Sequence, residues 1–92
     1  MRTASKKILI VDSNEAIRKS LREFFTSLGH EVLEAMSGVE VINMASSISP
    51  ALIMIDVCLP EISGDEVTVR LKRNIATRSI PVVISAGWTT DC

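Results

Sequence analysis

At 92 residues the chain has room for one domain at most, and 47% hydrophobic against 23% charged residues excludes a disordered chain. A formal net charge of -1 removes the electrostatic case for a nucleic-acid or membrane partner. With two Phe, one Trp and no Tyr, the core must be mostly aliphatic.

The N-terminal MRTASKK is basic, but only four apolar residues follow it, too few for a signal peptide. No apolar run approaches a membrane span, so the expected location is the cytoplasm. Cys58 and Cys92 match no zinc spacing and no CxxC motif, and free thiols are the default there.

The run ILIV, residues 8–11, is continuously apolar and predicts a strand buried on both faces. Ile17, Leu21, Phe24, Phe25 and Leu28 then recur at helical spacing, with Gly29 placed to end the helix. Residues 31–35 read as a short strand. Ser37 to Glu40 fits a capping box, and the helix behind it should turn Val39, Ile42 and Ala45 inward. After Ser49-Pro50, residues 51–56 form a second apolar run that ends on an acid. Ser63 to Glu66 opens another capped helix, with Val67 and Leu71 on its inner side. Pro81 starts the last apolar run, which ends at Ser85. Arg70, Lys72, Arg73 and Arg78 form the one basic group of note, read as a solvated helix face. Strands that alternate with helices and lack polar alternation imply a parallel sheet with helices on both faces.

In such sheets the ligand site lies beyond the carboxyl ends of the strands. Three predicted strands lead into Asp12, Asp56 and Ser85. Two carboxylates brought together repel unless a cation lies between them, and a hard divalent ion such as Mg²⁺ suits a site of few oxygen ligands. Each residue also has a local reading. Asp12 could cap the first helix, as could Ser13 or Asn14. Asp56 could serve a turn, and Ser85 could end a strand by local hydrogen bonding. His30 reads as a solvated turn residue.

Four segments, in order, resemble the receiver domain of two-component response regulators: ILIVD with Arg18, GHEVLEAMSGVEVI, PALIMIDVCLPEISGDEV and IPVVISA. The resemblance spans nearly the whole chain, and DVCLPEISG is its most specific piece. It implies an α/β, flavodoxin-like (CheY-like) three-layer sandwich with strand order 2-1-3-4, lacking the family's usual last helix, strand and helix. It implies a non-enzymatic module whose Asp56 accepts a phosphoryl group from a histidine kinase or phosphotransfer protein. In that scheme Asp12, Asp56 and the backbone carbonyl of Cys58 hold Mg²⁺, Ser85 supplies the switch hydroxyl, and Pro60 and Gly64 shape the loop.

Two departures qualify it. Ser13 stands where the family has a second acid, leaving a weak or lost metal ligand, so that Asp12 and Asp56 hold the ion poorly or Glu15 reaches in; Glu15 itself reads first as a first-turn acid favouring the helix N-terminus. The chain also stops at Cys92, with no lysine after Lys72 and no fifth strand. Residues 1–92 are therefore expected to be an incomplete receiver, either a fragment or a truncated form that self-associates through its exposed fourth strand. The competing readings are a phosphorylation-independent pseudo-receiver acting through protein contacts, and an unrelated enzyme on the same fold.

Overall fold

A computed structural model describes residues 4–85. Four strands and three helices alternate: β1 (Lys7–Val11), α1 (Glu15–Ser27), β2 (Glu31–Ala35), α2 (Gly38–Ile48), β3 (Leu52–Asp56), α3 (Gly64–Arg73) and β4 (Val82–Ser85). All pairings are parallel, and the sheet order is β2-β1-β3-β4. The expected order and element sequence are therefore those observed. No helix among the described residues is long and apolar enough to cross a membrane.

β1 runs through the centre, and Ile8 to Val11 are all buried, as expected of a strand covered on both faces. Leu9 and Val11 join Ile53 and Ile55 on the face packed by Val41 and Ala45 of α2 and Val67 and Leu71 of α3. Side chains alternate along a strand, so Ile8 and Ile10 point to the opposite face, where α1 packs on β1 and β2. β3 lies beyond most of that cover. Its Ile53 and Ile55 are buried while Leu52, Met54 and Asp56 are only half-buried.

The helix ends follow local chemistry. Asn14 caps α1, its side chain accepting from the amides of Ala16 and Ile17. At the other end Gly29 takes φ +89°. The amide of His30 then donates to Phe25 O and that of Gly29 to Thr26 O, satisfying carbonyls the helix leaves open. Ser37 and Ser63 cap α2 and α3 by accepting from the amides of Glu40 and Glu66. The boxes close only halfway: Glu40 reaches the amide of Met36, and Glu66 pairs with Arg70. Arg70, Lys72 and Arg73 sit in the last turn of α3, where the helix dipole favours cations.

Four expectations need correction. The apolar stripe of α1 does not face inward along its length: Ile17, Phe24 and Leu28 are exposed, and only Leu21 and Phe25 are half-buried. The stripe is wider than the strip of sheet that α1 covers. In α2, Val39 is exposed and Val41 is fully buried, because the inner face follows Gly38, Val41 and Ala45. Cys58 does not carry a free thiol. Finally, His30 is half-buried rather than solvated, packing on Phe25 and accepting at Nδ1 from the amide of Lys6.

Candidate functional site

The register of the sheet assembles the site. Val11 pairs with Ile55, so Asp12 and Asp56 follow at the same level on neighbouring strands. Asp56 pairs with Ser85 on the next strand. Residues from three separate segments thus form one row along the carboxyl edge of the sheet. The amide of Val57 donates to Ser85 O at 3.0 Å, tying the row together just past Asp56.

Asp12 is 7% exposed. It does not cap α1, because Asn14 does. Its Oδ1 accepts from the amide of Asn14 at 2.8 Å, its own amide donates to Ala35 O at 3.2 Å, and its carbonyl accepts from Arg18 Nη1 at 2.7 Å. Burial raises the pKa of its carboxyl above the ordinary carboxylate value. The Asn14 amide works against that rise, the charge of Asp56 adds to it, and Arg18 again lowers it. The ionised carboxylate is therefore a cost to the metal-free fold, absent when the group is protonated in acid and growing as pH rises through its folded pKa.

Asp56 ends β3, and its Oδ1 accepts from the amide of Cys58 at 3.2 Å. Behind it, Gly64 opens α3 directly against the Asp56 backbone, and its amide donates to Val57 O at 2.9 Å. Glu61 takes φ +68° in the loop between. An open cleft of about 530 Å³ lies beside this loop, with Ser13 on one wall and Val57, Cys58, Leu59, Pro60, Glu61 and Ser63 on the other. Ser13 is exposed there, whereas Glu15 lies exposed in the first turn of α1.

The donor set suits a hard cation. Asp12 and Asp56 are carboxylates in mutual repulsion, which a divalent ion relieves. No group of three or more His, Cys, Asp or Glu residues clusters among the described residues. With so few protein donors, waters must fill most of the coordination sphere, which Mg²⁺ accepts more readily than other biological cations. Asp12, Asp56 and the Cys58 carbonyl are the groups that would hold it.

Sequence reasoning missed the charged support behind the row. Arg18, carried only as part of a matching motif, is buried and paired with Glu34 at 3.3 Å. Glu34 in turn accepts from Arg22 at 2.7 Å. The signal was present: Glu34 is an acid in the middle of a short strand, and Arg18 lies next to Ile17 at the start of the apolar stripe. Trp88, Gly87 and Cys92 lie outside the described residues.

The parallel four-stranded sheet in the order β2-β1-β3-β4, with three alternating helices and two carboxylates at its carboxyl edge, is the architecture of CheY-like receiver domains. The chain belongs to the response regulator receiver domain family, whose pattern matches residues 8–91, and so to two-component signalling. It is 39% identical over 79 residues to the polar-differentiation response regulator DivK of Brucella ovis, over 86% of this chain and 64% of that protein. The chain therefore spans somewhat less than two thirds of the length of that curated relative. Among solved structures it is similar to the N-terminal domain of a response regulator receiver protein from Methanoculleus marisnigri. The TM-score there is 0.86 at 28% identity, covering 96% of this chain and 72% of that one. It also shares its fold with the receiver domain of a sensor histidine kinase from Pseudomonas aeruginosa, solved with magnesium coordinated in the active-site cleft. That likeness has a TM-score of 0.83 at 23% identity, over 88% of this chain and 66% of that one.

Proposed function

We propose that this chain is a Mg²⁺-dependent phosphoacceptor module, with Asp56 as the residue that receives the phosphoryl group from a histidine kinase or phosphotransfer protein. The observation that carries this reading is the row of Asp12, Asp56 and Ser85 at one level of the sheet. An Asp56 carboxylate oxygen attacks phosphorus in line as the bond to the donor's imidazole nitrogen breaks, and the imidazole leaves with its electron pair and takes a proton. Bound Mg²⁺ would supply charge neutralisation for the phosphoryl oxygens. Asp12 holds negative charge at the site, and the Cys58 amide keeps the Asp56 carboxylate oriented through Oδ1. The Ser85 hydroxyl donates to a phosphoryl oxygen and so couples phosphorylation to the segment that follows it. The magnesium in the Pseudomonas relative supports the choice of ion. The module changes state on modification and turns over no external substrate, and a cytoplasmic location goes with this reading.

Incubation with acetyl phosphate tests it by intact mass. A phosphate adduct should form with Mg²⁺, fail without it, and disappear in Asp56→Asn. Absence of the adduct at every Mg²⁺ concentration would overturn the reading. It would favour instead a pseudo-receiver that signals by protein contact, which the neutral Ser13 in the cleft already recommends.

We also propose that the module self-associates through β4. Among the described residues β4 pairs only with β3, and Val83 and Ile84 remain 47% and 41% exposed. An apolar, uncharged edge of this kind recruits another strand. Size-exclusion chromatography with light scattering should give a dimer, and a monodisperse monomer at high concentration would exclude it.

A further inference from the structure

We infer that Arg18 is a positioning residue that sets the site by holding the main chain of Asp12, an inference that rests on the receiver reading above. Helix α1 leaves Ile17, Phe24 and Leu28 exposed, yet its one buried residue is an arginine. A buried guanidinium is costly unless its donors are used. Arg18 uses them in two directions: Nη1 donates to the Asp12 carbonyl at 2.7 Å, and Nε donates to Glu34 Oε1 at 3.3 Å. Glu34 is anchored in turn by Arg22 through its other oxygen, at 2.7 Å.

Asp12 stands one residue past the end of β1, where the strand ladder is running out. Its amide still reaches Ala35 O on β2. Its carbonyl is taken by Arg18, which spares a buried backbone acceptor from going unpaired. The peptide plane between Asp12 and Ser13 is thereby held from the helix side. That plane sets where the Asp12 carboxylate stands and on which wall of the cleft Ser13 lies. A guanidinium carries several donors on one rigid frame and so serves the Asp12 carbonyl and the Glu34 carboxylate at once, which a lysine ammonium does less well. The chain Arg22, Glu34, Arg18, Asp12 thus connects the face of α1 to the cation site through β2.

Calorimetric titration with Mg²⁺ alone, on the whole chain, tests this, with thermal melts in a chelator run beside it. Arg18→Met should weaken Mg²⁺ binding about tenfold to a hundredfold, the loss usual when a group that orients a metal ligand is removed. Arg18→Lys should bind more tightly than Arg18→Met, since one ammonium donor still reaches the carbonyl. Arg22 still neutralises Glu34 in Arg18→Met, so that variant should stay folded; the double variant Arg18→Met/Glu34→Gln, which removes both partners of the Arg18 ion pair, should show the same loss of Mg²⁺ affinity. If Arg18→Met does not fold, the double variant decides the matter. Affinity within about twofold of the parent in either variant would overturn the inference, because a metal-orienting role carries a larger loss. Equal affinities of Arg18→Lys and Arg18→Met would overturn it as well. Failure of the parent protein to bind Mg²⁺ would instead sink the receiver reading itself, and this inference with it.

Discussion

Gly64→Ala is expected to destabilise the protein by about 1–3 kcal/mol, the usual cost of overpacking a closed site. For a domain of this size that corresponds to about 4–8 °C in melting temperature per kcal/mol. A Cβ at position 64 would stand 2.5 Å from Asp56 O, 2.9 Å from Val57 Cα and 3.0 Å from Asp56 C. These are backbone atoms, so no rotamer change relieves the clash. Either α3 retreats, breaking the bond from the Gly64 amide to Val57 O, or the end of β3 moves with Asp56. Both outcomes displace the acceptor, so phosphorylation by acetyl phosphate should slow along with the fall in stability. Gly29→Ala is the control. Its added carbon meets no atom within 4 Å, but φ is +89°, which costs a side-chain-bearing residue about 1–2 kcal/mol. It should lower the melting temperature and leave phosphorylation unchanged. A Gly64→Ala protein that melts and reacts like the parent would show that the start of α3 shifts freely.

Ser13→Asp should tighten Mg²⁺ binding by about tenfold or more, since affinity at such sites rises with the number of charged ligands. Ser13 is exposed and lines the cleft together with Cys58 and Glu61, one residue after Asp12 and two before Glu15, so a carboxylate there adds a third negative charge to the carboxyl edge of the sheet. Without metal the same change adds a third charge to a site that already disfavours ionised Asp12. The variant should therefore melt lower than the parent in a chelator at neutral pH. At saturating Mg²⁺ it should melt higher, because tighter binding stabilises the folded state by mass action. The pH dependence follows from Asp12. Its carboxyl holds a proton to higher pH than an ordinary carboxylate, so protons compete with the ion over that raised range. Mg²⁺ affinity should fall as pH is lowered through it, in parent and variant alike. Unchanged affinity in Ser13→Asp would mean that position 13 does not reach the ion.

Much of this was legible in the chain because the signals are local. ILIV, LIMID and VVIS read as strands on their own, and Ser37, Ser63 and Gly29 mark helix ends by chemistry confined to one turn. The acids at the strand ends were visible as candidates for the same reason. Asp12 remained ambiguous because Ser13 and Asn14 were equally able to cap. Only the bonds that the amides of Ala16 and Ile17 donate to Asn14 Oδ1 settle that role and release Asp12 from it. Val39 was misplaced because in a short helix with apolar residues on several sides the inner face is chosen by what packs against it. Here that is Val67 and its neighbours, not the helix's own periodicity.

The sequence by itself determined the elements, their order and the residue types available at the carboxyl edge, because propensity, capping and hydrophobic period act over a few neighbouring residues. Only the tertiary structure decided that Asp12, Asp56 and Ser85 share one level and that Ser13 looks into the cleft. It also decided that an arginine, not the apolar stripe, is the buried residue of α1. Register and burial depend on packing between segments that lie far apart along the chain, and no local signal carries that information.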